Sequence, residues 1–105
     1  MSGHEFSVTA TTDAGGATVL TCGGDVDIAT VDRLAEAIDK TIGNHPAELR
    51  IELTGVSFLG SDGLRLLVRT TNRCADEGIG LHLVVSPEVR RVMEVSGVIT
   101  YLPLE

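Results

Sequence analysis

The first part of the chain alternates between apolar and polar residues. Phe6, Val8 and Ala10 alternate with hydroxyl residues, which is the period-2 pattern of a half-buried strand. Glycine and aspartate within residues 13–16 favour a turn, and a second β-prone run covers residues 18–22. The pattern predicts an N-terminal β-hairpin whose second strand is broken by the glycines and aspartates of residues 23–27.

Two segments in the middle of the chain carry apolar residues at the spacing of one helix face. Asp27 or Thr30 can cap the start of the first helix, and Gly43 can end it. The second helix follows residue 60, and Gly78 is its predicted end. The helical stripes that define these helices are, first, Val31, Leu34, Ala35, Ile38 and Ile42, and second, Leu64, Leu67, Val68, Thr71 and Ala75.

Strands and a third helix are predicted around and after these segments. Ser86 followed by Pro87 is a favourable helix entry, with a capping serine and a proline at the first helical position, and Gly97 is the predicted end. A short last strand is predicted over residues 99–102. The apolar positions of the other two strands are Leu49, Ile51 and Leu53, and Leu81, Leu83 and Val85. The third helix is continued by Val89, Val92, Met93 and Ser96.

The predicted order is β-β-α-β-α-β-α-β. Strands that alternate with helices need crossover connections, so the later strands should be parallel and the crossovers right-handed. We therefore predict an α/β fold in which a mixed sheet, extended by the N-terminal hairpin, is packed against helices. The length of 105 residues indicates one domain over residues 1–105.

Charge and cysteine content narrow the range of functions. The formal net charge of −7 argues against nucleic acid or an anionic membrane as a partner. Cys22 and Cys74 are too few for a disulfide framework and are expected to be small core residues, with a redox role as the alternative. Residues 1–5 do not resemble a signal peptide, so we expect a cytoplasmic protein.

Acidic residues follow the second strand, and a serine follows the third. If these strands are neighbours, Asp25 and Asp27 should lie near Ser61 at one end of the sheet. We favour a solvated Asp25 and a helix-capping Asp27 over a metal or acid–base pair, because the loop offers too few oxygen ligands. No metal, cofactor or catalytic residue is predicted, and nothing in the sequence supports an enzyme.

Ser61 lies where the second helix begins. Local chemistry favours a helix cap, a role that Asp62 could fill equally well. The same position suits a phosphoserine, because a helix N-terminus offers unpaired N–H groups and a partial positive charge. Both readings of Ser61 remain open at the level of local chemistry.

Three motifs together resemble the STAS domain of bacterial anti-sigma-factor antagonists. Residues 53–64 (LTGVSFLGSDGL) resemble the signature of that family, and residues 24–27 (GDVD) resemble its Gly-acid-aliphatic-Asp motif. Residues 86–97, with SPEVRRVME followed by SG at the end, resemble its third-helix pattern. The resemblance covers nearly the whole chain.

The resemblance implies a partner-switching regulator of transcription. Family members bind an anti-sigma factor with serine kinase activity, free the sigma factor, and are released when the kinase phosphorylates a serine. By motif position, that serine is Ser61. The docking surface implied by the same motifs comprises Asp25, Asp27, Gly60, Ser61, Asp62 and Leu64.

Two positions beside Ser61 differ from the family pattern. The family often has aspartate where this chain has Gly60, and a small residue where it has Asp62. Asp62 puts a negative charge beside the prospective phosphate, which is unfavourable unless a basic group offsets it. The alternative function is a STAS subunit without a switch, in a transporter complex or a stress-sensing assembly. An acyl carrier protein is disfavoured, because carriers are all-helical and have aspartate before the modified serine.

Overall fold

The computed structural model describes residues 5–105, which form a four-stranded sheet and three helices. The strand order is β1-β2-β3-β4, in which β1 is antiparallel to β2 and the other neighbours are parallel. The predicted α/β class, hairpin and parallel crossovers are confirmed. The elements are β1 (Ser7–Thr12), β2 (Thr18–Val26), α1 (Val31–Gly43), β3 (Glu48–Leu59), α2 (Ser61–Glu77), β4 (Gly80–Val85) and α3 (Pro87–Ser96).

The core is built from one face of the sheet. Leu20, Ile51 and Leu83 are direct neighbours on the three parallel strands, and all three are fully buried. They belong to one continuous apolar cluster with the inner faces of the helices. Polar residues such as Thr21 and Glu52 occupy the alternate positions, because successive side chains of a strand point to opposite faces.

The glycines after the hairpin do not end the second strand. β2 continues through Gly23 and Gly24 to Val26, with register shifts on either side of the two glycines. Gly24 has a φ of +87°, so the strand accommodates an irregularity there instead of stopping. The predicted break at residues 23–27 is therefore wrong, and β3 likewise runs further than predicted, to Leu59.

The last β element of the predicted order is reduced to a single bridge. Residues 99–101 form a turn, in which the N–H of Tyr101 donates to the carbonyl oxygen of Val98 at 2.9 Å. The β contact comes later, as a parallel bridge between Leu83 and Leu104. The strand predicted at residues 99–102 is thus misplaced, because the turn uses backbone groups that a strand would need.

The start of α3 and the C-terminal ends of α2 and α3 follow the predicted chemistry. The hydroxyl of Ser86 accepts a hydrogen bond from the N–H of Val89 at 3.2 Å. Gly78 and Gly97 follow α2 and α3 with φ values of +71° and +81°, which are left-handed conformations that glycine adopts at low cost. No helix within residues 5–105 is long and apolar enough to cross a membrane.

α2 buries a wider face than its predicted stripe. Leu66, Thr70 and Cys74 are buried, whereas Ala75 is exposed. The reason is that α2 packs against both the sheet and α1. Residues 1–4, on which the expectation about a signal peptide largely rested, lie outside the described residues.

Both cysteines are core residues, as predicted. Cys22 is 2% and Cys74 1% exposed, and neither forms a disulfide. Burial raises the pKa of the Cys22 thiol to about 12, and burial also raises the pKa of the Cys74 thiol. Both thiols therefore stay protonated at neutral pH, the form that is a poor nucleophile.

Candidate functional site

The loop after β2 and the start of α2 lie together at one end of the sheet. Val26 is the register neighbour of Leu59, and the N–H of Gly60 donates to the carbonyl oxygen of Val26 at 2.9 Å. The expectation that the second and third strands are neighbours is confirmed. Residues separated by more than 30 positions in the chain are therefore joined by a backbone hydrogen bond at this edge.

Asp27 and Thr30 hold the loop that follows β2. A carboxylate oxygen of Asp27 accepts hydrogen bonds from the N–H groups of Ala29 and Thr30, at 2.9 and 3.2 Å. The hydroxyl of Thr30 donates to the carbonyl oxygen of Asp25 at 2.8 Å. The predicted side-chain cap of α1 is therefore wrong, because Thr30 occupies the capping position without a side-chain hydrogen bond to the helix. The Asp27 side chain instead folds back onto its own loop.

Large apolar side chains are exposed at this same end. Ile28, at the tip of the loop, is 81% exposed, and Phe58, the register neighbour of Asp25, is 51% exposed. Neither residue was predicted from the sequence as part of the site. An isoleucine between an aspartate and an alanine in a helix-entry loop was the available signal, because a loop residue that packs nowhere is a candidate contact.

Leu64 contributes less to this surface than its motif position implied. Its side chain is only 9% exposed and belongs to the apolar core. The apolar contact area at this end is therefore provided by Ile28 and Phe58.

The first turn of α2 is open. Gly60 occupies the capping position and has no side chain to cap with, and the first helical bond runs from the N–H of Leu64 to the Gly60 carbonyl at 3.0 Å. Among residues 5–105, the N–H groups of Ser61, Asp62 and Gly63 have no acceptor.

Ser61 is exposed, and its hydroxyl makes no hydrogen bond within the described chain. The cap favoured by local chemistry is therefore wrong for Ser61, because α2 already begins at Ser61, one residue earlier than a capping serine requires. Asp62 does not cap either.

Asp62 has a basic partner. Its carboxylate forms an ion pair with the guanidinium of Arg65, one turn along α2. Both side chains are partly exposed, so the pair contributes little to stability. Its consequence is local: the extra negative charge beside Ser61 is offset by a positive charge four residues from that serine.

Gly63 allows α2 to approach the sheet closely. A Cβ atom at Gly63 would lie 2.6 Å from Cδ1 of Leu59 and 3.0 Å from Cγ1 of Val26. Contacts this short need neighbouring side chains to move within a packed core. The position of Ser61 over the strand ends therefore depends on the glycine two residues later.

Gly63→Ala is expected to destabilise the protein by about 1–3 kcal/mol through overpacking, although alanine favours helix by about 1 kcal/mol. The control is Gly43→Ala, at the end of α1, where a Cβ would meet no atom within 4 Å. Thermal denaturation followed by circular dichroism measures both variants. A Gly63→Ala protein that melts at or above the wild-type temperature would contradict the packing argument.

The described residues contain no cluster suited to metal binding. No group of three or more histidine, cysteine, aspartate or glutamate side chains within residues 5–105 could hold a metal ion. Of the acidic side chains at the candidate site, that of Asp27 accepts hydrogen bonds within its loop and that of Asp62 forms an ion pair.

Comparison with known proteins identifies the family. The family model of the STAS domain matches residues 8–105. The chain belongs to the STAS domain family. This STAS domain is 41% identical over 73 residues to the anti-sigma-F factor antagonist RsfB of Mycobacterium tuberculosis. The match covers 70% of this chain and 60% of RsfB, so it spans less than two thirds of that relative.

Solved structures of similar shape share the architecture of this STAS domain. A crystal structure of an anti-sigma factor antagonist from Mycobacterium paratuberculosis superimposes with a TM-score of 0.87 at 30% identity, over 98% of this chain and 87% of that one. The anti-sigma factor antagonist SpoIIAA in its unphosphorylated form superimposes with a TM-score of 0.75 at 18% identity, over 94% and 88%. The second similarity is one of fold alone.

Proposed function

We propose that this STAS domain is an anti-sigma factor antagonist, which binds an anti-sigma factor and thereby frees a sigma factor for transcription. The observation that carries the proposal is the exposed Ser61 at the open start of α2, beside a structured acidic loop. Exposed Ile28 and Phe58 at the same end provide apolar contact area, which interfaces use as anchors. The names of the relatives support the same class of partner.

The proposed docking surface comprises the loop with Asp25 and Asp27 and the start of α2 with Gly60, Ser61 and Asp62. The loop is braced by its own hydrogen bonds, so little conformational entropy is lost when a partner binds it. We propose that the protein acts in the cytoplasm, where transcription takes place.

The proposed switch is phosphorylation of Ser61 by the serine kinase activity of the anti-sigma factor. The Ser61 oxygen would bond to the γ-phosphorus of ATP, ADP would leave, and the hydroxyl proton would pass to a base of the kinase. The phosphate adds about −1.5 to −2 charges. Open N–H groups at the start of α2 favour an anion, so the domain is expected to stay folded while its docking surface changes charge.

Mass spectrometry after incubation with the anti-sigma factor and ATP tests this switch. We expect one phosphate, on the peptide that contains Ser61. Ser61→Ala is expected to bind the anti-sigma factor and remain unmodified, because the change removes only an exposed hydroxyl.

The matched control is Ser57→Ala, which removes another exposed hydroxyl from the same segment and should leave phosphorylation unchanged. Phosphate on Ser57 alone would contradict the assignment to Ser61. A stable complex in which no serine is modified would instead favour a STAS subunit without a switch.

A further inference from the structure

Three arginines form a stripe along α2 that starts from Ser61. Arg65, Arg69 and Arg73 follow Ser61 at intervals of four residues, so all four lie on one side of the helix. All three arginines are exposed. The chain has only eight lysines and arginines against fifteen acidic residues, so three of its eight cations are concentrated on this one stripe.

The middle arginine differs from its neighbours. Arg65 pairs with Asp62, and Arg73 pairs with Asp39 of α1, with 2.6 Å between its Nη1 and the carboxylate oxygen, and with Glu77. Arg69 takes part in no ion pair within residues 5–105. It is therefore the guanidinium on this stripe whose charge is not already offset by a carboxylate of the described chain.

Arg69 and Arg73 border a groove between α1 and α2. The groove has a volume of about 240 Å³. Apolar side chains contribute to its lining, and Asp39 and Arg73 bridge the two helices across it. Its lining residues are Ala35, Ile38, Asp39, Leu66, Arg69, Thr70 and Arg73.

We propose that this groove and the arginine stripe bind an acidic segment of the anti-sigma factor. The inference rests on the proposed function and extends the docking surface from the start of α2 along the helix. Charge complementarity identifies the occupant, because a guanidinium pairs with carboxylates through two parallel hydrogen bonds. The apolar part of the groove fits an apolar side chain within that acidic segment.

This arrangement links docking to the switch. A phosphate on Ser61 lies one helical turn before Arg65, at the head of the stripe. It repels an acidic segment and competes with that segment for the Arg65 guanidinium. Phosphorylation therefore releases the anti-sigma factor by electrostatic repulsion. The affinity of the unphosphorylated protein for the acidic segment falls as the salt concentration rises.

Charge reversal at Arg69 tests the inference. Arg69→Glu is expected to lower the affinity of the unphosphorylated protein for the anti-sigma factor by roughly tenfold or more at about 0.1 M salt, because like charges then face each other. Arg69→Gln should weaken binding less and make it less sensitive to salt. Isothermal titration calorimetry at several salt concentrations measures both variants.

The matched control is Arg90→Glu, which makes the same charge change at an exposed arginine of α3. It should change affinity by less than about threefold. Wild-type affinity in Arg69→Glu, or an equal loss in both charge-reversed variants, overturns the inference while the proposed function stands. A wild-type protein that does not bind the anti-sigma factor refutes the proposed function, and the inference with it.

Discussion

Replacing Gly24 with alanine is expected to lower the melting temperature by roughly 12 °C or more. Gly24 has a φ of +87°, a conformation in which any other residue is strained. A Cβ there would lie 2.3 Å from the carbonyl oxygen of Glu5, 2.6 Å from its carbon and 2.9 Å from Cα of Phe6. These are backbone atoms, so they cannot rotate away as a side chain could.

Moving the segment before β1 away from Gly24 would relieve this clash only at a further cost in stability. Phe6 is 3% exposed, and the guanidinium of Arg33 lies 5.1 Å from the centre of its ring. Moving Glu5 away from Gly24 would pull this ring out of the core. Backbone strain and overpacking together are therefore expected to cost about 3–5 kcal/mol, a large share of the stability of a domain of this size.

Gly16→Ala is the matched control for this prediction. Gly16 also has a positive φ, +89°, but a Cβ there would meet no atom within 4 Å. Its cost is therefore the backbone strain alone, about 1–2 kcal/mol. Thermal or urea denaturation measures both variants, and equal losses of stability would show that the close approach of Glu5 is unimportant.

Ser61→Glu is expected to weaken binding of the anti-sigma factor by roughly 10- to 100-fold, because it adds a negative charge at the centre of the proposed docking surface. The same change should not lower the melting temperature. A carboxylate in the first turn of α2 interacts favourably with the helix dipole, by about 0.3–1 kcal/mol. Calorimetric titration and thermal denaturation of one preparation measure both effects.

Ser61→Gln is the control for this variant, since glutamine matches glutamate in size but has no charge. It should reduce affinity by less than about threefold, which corresponds to about 0.6 kcal/mol. Equal weakening by glutamate and glutamine would mean that bulk, and not charge, disturbs the interface. If the Ser61→Glu protein binds the anti-sigma factor with undiminished affinity, negative charge at Ser61 is not the basis of the switch.

The helices, the cap of α3, the glycine ends of α2 and α3 and the α/β class could be predicted because their causes are local. Ser86 caps α3 through the N–H of a residue three positions away, and Gly78 and Gly97 end their helices through their own backbone conformation. The alternation of Leu49, Ile51 and Leu53 likewise needs only neighbouring residues to be recognised. Such features depend on at most one or two helical turns of sequence.

The wrong predictions concern strand boundaries that are determined by contacts between distant segments of the chain. Gly24 looked like a strand break, but it pairs with Val56 of β3 and lies close to the backbone of Glu5. The last β contact lies at Leu104 because Leu83 presents backbone groups there, with the N–H of Glu105 donating to the Leu83 carbonyl at 2.9 Å. Glycine content and apolar runs do not encode these long-range partners.

The sequence by itself determined the order of the elements and pointed to Ser61, since periodicity and motif spacing are properties of the chain. Only the tertiary structure decided what surrounds Ser61. The parallel pairing of β2 and β3 brings the Asp27 loop to the start of α2, and an open first turn leaves the hydroxyl unbonded. Arg65 offsets Asp62 across one helical turn, a contact that depends on side-chain orientation and not on spacing alone.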